Sequence, residues 1–328
     1  MNFKDIRGQK SALEKIRADI KRKKLSGAYL FTGPPGVGKQ MTAISFAKAL
    51  NCKMDSLNGC DRCSSCVKME KMNHPNLRII NPEGESIKIE QIRNLKTESS
   101  FRVYEGRKKV WIINEAEKLT PQAANSLLKI LEEPPGYLII ILITHIPGFL
   151  PPTILSRCRV VEFSSLSCQD ISEILKNKVD MPAHLIPLIS QLAQGSMSEA
   201  LKLVRKEEIF QEREIIFKLI QKRKSLSGEV FRLSERWCIE NSSDIETLLN
   251  IVLLFLRDIL MIKTAPDVPV FNQDKANELV NIKDTYSLSQ LYKGIEAVKK
   301  SKFFIQANVS CQLALEVMWM KILYPEYT

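Results

Sequence analysis

Residues 27–42, "GAYLFTGPPGVGKQMT", constrain the fold more than any other stretch of the chain. A short apolar run enters a glycine-rich loop. From Lys39 to about Asn51 the pattern turns helical, with Ile44, Phe46, Ala47 and Leu50 apolar. Strand, glycine loop, helix is the setting in which backbone N–H groups cradle phosphate and a lysine neutralises it. Gly33, Gly36, Gly38 and Lys39 fit that pattern, but the next position, where a Ser or Thr hydroxyl normally ligates Mg2+, holds Gln40. A glutamine amide still hydrogen-bonds, without that compact ligand geometry. The bland alternative is a glycine-rich turn that binds nothing.

The surrounding pattern favours the phosphate loop. "NLRIINP", "KKVWIINEAEKL", "YLIIILITH" and "CRVVEFSSL" read as buried strands. Between them, "KIEQIRNLKTESS" and "TPQAANSLLKILEEPP" read as helices, the second with Thr120 as N-cap, Pro121 in the first turn and a proline stop. "SALEKIRADIKRKKL" adds a helix before the first strand. Alternating strands and helices predict a parallel sheet covered on both faces. The strand pattern stops near Ser165. Residues 166–207 read as a small helical unit and 208–328 as amphipathic helices broken by the loop "APDVPVFN".

The acidic end of "VWIINEAE" has Asn114 where a metal-holding aspartate is expected, with Glu115 next as a candidate base. Two metal-side positions, Gln40 and Asn114, are therefore altered together, which argues against efficient hydrolysis. Thr144, next to last in "YLIIILITH", completes the candidate nucleotide contacts.

Cys52, Cys60, Cys63 and Cys66 have the spacing C-x7-C-x2-C-x2-C, with polar, turn-forming gaps. Four clustered thiolates suit a closed tetrahedral zinc site better than a redox pair or free thiols. The other four cysteines, Cys158, Cys168, Cys238 and Cys311, are expected to be small buried apolar residues. No histidine sits in a metal or triad pattern, and His74, before a proline, reads as structural.

Lysine and arginine total 48 against 37 acidic residues, a formal charge of +11. That surplus favours an anionic partner such as nucleic acid, and equally fits a basic surface kept for solubility. No apolar run is long enough to span a bilayer, and "MNFKDIRGQK" has no signal-peptide core, so a cytoplasmic chain with reduced or metal-bound cysteines is expected. Lys88 and the run Arg107–Lys109 read most simply as solvated surface, as does Arg157 in "TILSRCRV".

Taken together, "FKDIRGQ", the phosphate loop, the cysteine module, "HPNLRIINPEGESIKIEQIR", "AANSLLKILEEPP", "TILSRC" and "IQANVSCQLALEVM" resemble the bacterial clamp-loader subunits of the AAA+ family. The resemblance covers nearly the whole chain. It implies a RecA-like AAA+ core over 1–165 carrying the zinc module, a helical lid over 166–207 and a helical collar over 208–328. It implies a five-subunit ring with gamma/tau and delta partners, which places a sliding clamp on primed DNA and has no membrane role. Arg157, in "SRC", is then a trans-acting arginine finger serving a neighbour's ATP, and Lys88 a DNA contact. Active members carry a sensor arginine where this chain has Ser198. With Gln40 and Asn114 that makes three losses in the chain's own pocket, so ATP there is expected to be weak or absent and the subunit a stator. The rivals are an active gamma/tau-type ATPase and a free-standing AAA+ remodeller.

Overall fold

The computed structural model describes residues 2–99, 107–222, 227–240 and 244–324. The chain divides into two compact units, Met1–Asp170 with Gly195–Ser198, and Ile171–Gln194 with Glu199–Thr328.

The first unit is built on five strands: β1 (Ala28–Thr32), β2 (Leu77–Ile80), β3 (Lys109–Ile113), β4 (Leu138–Thr144) and β5 (Arg159–Glu162). They form one sheet in the order β2-β3-β4-β1-β5, every pair parallel. β1, β3 and β4 are buried along their whole length, which is why they read as continuous apolar runs rather than alternating ones. Successive side chains still point to opposite faces. Ile139, Ile141 and Ile143 join one core with Tyr29, Phe31 and Phe46, while Leu138, Ile140 and Leu142 join the other with Leu127, Leu131 and Ile154.

Helices α1 (Lys10–Arg22), α2 (Lys39–Asn51), α3 (Ser64–Glu70), α4 (Ile89–Ser99), α5 (Pro121–Glu132) and α6 (Pro152–Leu155) complete this unit. α5 starts as its sequence predicts: Thr120 Oγ1 accepts from the Ala123 N–H, with Pro121 in the first turn. The helix predicted over "KIEQIRNLKTESS" is α4, and its last residue, Ser100, lies outside the described residues. Lys109 is not solvated surface: it is buried at the start of β3, its ammonium 5.9 Å from the Tyr137 ring centre.

The second unit is helical among the described residues. It continues from α7 (Cys168–Lys178) through α8 (Ile186–Leu192), α9 (Met197–Arg205), α10 (Glu207–Lys222), α11 (Ser227–Ile239), α12 (Ile245–Thr264), α13 (Ala276–Ile282) and α14 (Leu288–Gln306) to α15 (Cys311–Leu323). The apolar α12 is its spine, packed against α8, α10, α13 and α14. The "APDVPVFN" loop is tied down by Asp258, a fully buried carboxylate that accepts from the N–H groups of Phe271 and Asn272 and from the Asn272 amide. Asn272 in turn accepts from the buried Arg213.

Two cysteine expectations are corrected here. Cys238 and Cys311 form a disulfide, because α11 and α15 lie side by side with Trp237 against Trp319, bringing the two Cα atoms to 6.1 Å. Cys168 is exposed at the start of α7 rather than buried. Cys158 is partly buried beside the sheet core, and that burial pushes its thiol up to about 12. No described helix is long and apolar enough to cross a membrane.

Candidate functional site

Parallel strands end together, and in an open α/β sheet ligands bind beyond their carboxyl ends. Thr32 of β1 pairs with Thr144 of β4, so the glycine loop, Thr144 and the end of β3 share one edge. Gly33 has φ 138°, and a Cβ on it would lie 2.2 Å from the Phe163 carbonyl oxygen. Gly36 has φ 73°, and a Cβ there would meet the Ser196 and Ser198 hydroxyls at 2.1 Å. Ser198 thus sits against the loop with its Oγ 3.0 Å from that of Ser196, and the Met197 N–H donates to the Gly36 carbonyl. Gly38 precedes α2 as its N-cap.

Lys39 is 7% exposed, and its ammonium donates to the carbonyls of Gly33 (2.5 Å) and Pro34 (2.6 Å). Burial draws its pKa down to about 8, against the pull of the Glu117 carboxylate. Gln40 is exposed on the first turn of α2. Asn114 is buried, and its amide donates to Asn81 Oδ1 at 2.7 Å. A neutral amide tied to another amide and a solvent-facing glutamine do not fit the Mg2+ shell expected at these two positions.

Glu115 adopts a left-handed conformation (φ 48°) and pairs with Lys118 at 2.7 Å. Thr144 is buried, its hydroxyl accepting from the Ile146 N–H. Two residues the sequence reading passed over, Glu117 and His145, lie just past the ends of β3 and β4. Glu117 occupies the single 3-10 turn after β3, with its side chain 7% exposed. His145 Nδ1 approaches it to 2.5 Å, a contact whose alignment leaves both buried carboxylate oxygens without a hydrogen bond.

Arg157 follows α6. Its guanidinium donates to Thr153 O and to Glu132 Oε1, both at 2.9 Å, and stays about one-third exposed. It precedes β5, whose Arg159 pairs with Tyr29 of β1, so Arg157 belongs to the edge where strands begin. Gly33 lies four residues beyond Tyr29, so at about 3.3 Å each roughly 13 Å of sheet separates it from Arg159, and Arg157 lies in the turn before that strand. The structure brings Lys39, Asn114 and Thr144 to one edge and leaves Arg157 at the other. Lys88 is exposed just before α4, where its N–H donates to Gln91 Oε1.

At the far end of α2 the four cysteine sulfurs lie within 4.8 Å of one another. Cys52 and Cys63 are 3.9 Å apart, Cys60 and Cys66 4.0 Å. Metal–sulfur bonds of about 2.3 Å in a tetrahedron require edges of about 3.8 Å, so the residues fit a metal ion. Burial opposes ionisation of Cys63, but N–H groups of Cys66 and Lys53 outweigh it and draw the thiol down to about 6. Lys48, fully buried on α2, pins the module through Asp61 at 2.9 Å and through Glu70. His74 is structural, buried between the Ser65 hydroxyl and the Asn76 N–H.

The family described as "DNA polymerase III, delta subunit" matches residues 8–167. The chain is 32% identical over 311 residues to the DNA polymerase III subunit delta' of Bacillus subtilis, covering 94% of both chains. It is 28% identical over 346 residues to the subunit tau of the same organism, covering 98% of this chain but only 61% of that one. Among solved structures, a DNA polymerase III gamma subunit-related protein from Thermotoga maritima is 20% identical with a TM-score of 0.44, covering 95% of this chain and 98% of that one.

Proposed function

The chain belongs to the AAA+ clamp-loader subunits of DNA polymerase III, and within that family we propose that it is the delta-prime-type subunit, a stator that lends an arginine finger to a neighbouring ATPase. The observation that carries this is the separation of Arg157 from the chain's own phosphate loop, together with the loss of metal-side ligands at Gln40 and Asn114. A side chain cannot span roughly 13 Å of sheet, so an arginine at that edge serves a site on another subunit or none. ATP turnover by the reconstituted ring, with Arg157→Ala or Lys39→Ala in this subunit, tests the assignment.

The remaining assignments extend it. Residues 1–165 act as the AAA+ core, 166–207 as a lid and 208–328 as the collar that builds a ring with gamma/tau and delta subunits in the cytoplasm. The ring places a sliding clamp on primed DNA. Zinc is the metal assigned to the cysteine cluster: four soft thiolates close a tetrahedron and leave no position for water or substrate, so its role is structural. The rival gamma/tau-type ATPase draws support from the 28% identity to the tau subunit. It would have to work with Gln40, Asn114 and Ser198 where a hydroxyl, a carboxylate and an arginine are needed.

Lys88 is the DNA contact we assign. It is exposed at the start of a helix, where the positive end of the helix dipole and a positive side chain suit a backbone phosphate. Lys88→Ala should weaken binding of the assembled loader to primed DNA alike for all sequences, and lower the slope of log K against log salt by about one. Fluorescence-anisotropy titrations at several salt concentrations measure both; unchanged affinity at low salt removes Lys88 from the interface.

A further inference from the structure

We propose that Glu117 is the carboxylate ligand of a divalent cation that binds with the phosphates of a nucleotide at this chain's own loop, at a position displaced from the usual one. The usual ligands are gone: Gln40 faces solvent and the Asn114 amide is held by Asn81. Glu115, the other acid at the end of β3, is engaged by Lys118 at the surface. Glu117 alone among these is a buried carboxylate, and neither of its oxygens accepts a hydrogen bond. A buried carboxylate met by one partly exposed imidazole is poorly compensated unless a cation joins it. The Lys39 ammonium is committed to the carbonyls of Gly33 and Pro34, and the Glu117 carboxylate meets His145 Nδ1 without hydrogen-bond alignment.

The sheet places this carboxylate beside the loop. His145 follows Thr144, Thr144 pairs with Thr32, and Thr32 is followed by Gly33, so the partner of Glu117 stands next to the first glycine of the cradle. Mg2+ and Mn2+ bound with nucleotides need only one or two protein carboxylates, with phosphate oxygens and waters filling the other positions. One displaced carboxylate meets that requirement while leaving the chain without the ligand geometry for turnover. The inference goes beyond the stator role and is independent of Arg157.

It is tested on the isolated full-length chain with its cysteine cluster loaded with zinc, which Mn2+ does not displace from thiolates. ADP affinity is measured calorimetrically with and without added Mn2+, and bound Mn2+ by its paramagnetic resonance signal. Mn2+ should tighten ADP binding at least about tenfold, as expected when one group orders a metal site. Glu117→Gln, a near-isosteric change that removes a buried charge, should abolish that gain, and Glu117→Asp should keep part of it; retained zinc reports folding in both. A gain that survives Glu117→Gln, parent affinity indifferent to Mn2+, or no ADP binding at all overturns the proposal.

Discussion

Arg157→Ala in this subunit is expected to lower ATP turnover by the reconstituted clamp loader roughly a thousandfold at the site it serves, the loss typical of a missing arginine finger. Lys39→Ala in the same subunit should change turnover by less than about threefold, because removing a group from a site that does little catalysis removes little transition-state stabilisation. The contrast follows from where each side chain lies. Lys39 is buried among the carbonyls of its own loop, beside an amide and a glutamine in place of metal ligands. Arg157 is at the opposite edge of the sheet, held in a defined direction by Glu132 and the Thr153 carbonyl, and partly exposed. Its charge is therefore available to phosphate oxygens supplied from outside, where stabilising developing charge has the largest effect on rate. Steady-state turnover of rings checked for complete assembly measures both variants. If Lys39→Ala cripples turnover and Arg157→Ala is silent, the subunit is a working ATPase and not a stator.

Loss of the cysteine-bound metal should be the largest effect on stability. Purified under reducing conditions, the protein should carry one zinc per chain. Cys63→Ser or Cys66→Ser should lose it and destabilise the first unit by on the order of 3–5 kcal/mol, because Lys48 is then left as a buried charge with disordered partners. For a domain of this size that corresponds to a fall of about 10 °C in Tm. Metal analysis with thermal denaturation decides it: no zinc in the parent, or zinc lost with Tm unchanged, refutes the structural role.

The sheet was legible in the sequence because its inner strands are buried on both faces, so apolar runs such as "YLIIILITH" have no competing helical period. The phosphate loop and the cysteine cluster were legible because both depend on short-range spacing. Strand order was not, since nothing local in β4 says that it lies between β1 and β3. Glu117 and His145 escaped for the same reason: they are far apart in sequence and meet only through the β3–β4 register. Cys238 and Cys311, 73 residues apart, meet through the packing of α11 on α15. Gly195–Ser198 lies within a helical stretch of sequence yet groups with the first unit, because the Met197 N–H and the serines close on Gly36.

The buried Lys48 also has a consequence for descent. A lysine at that depth on α2 is tolerable only while Asp61 and Glu70 are held opposite it, and the cysteine module holds them there. The lysine and the four cysteines should therefore be inherited as a set. Lineages that discard the cysteines should carry an uncharged residue at the position of Lys48, and an alignment in which lysine persists there without the module would show that the two are not coupled.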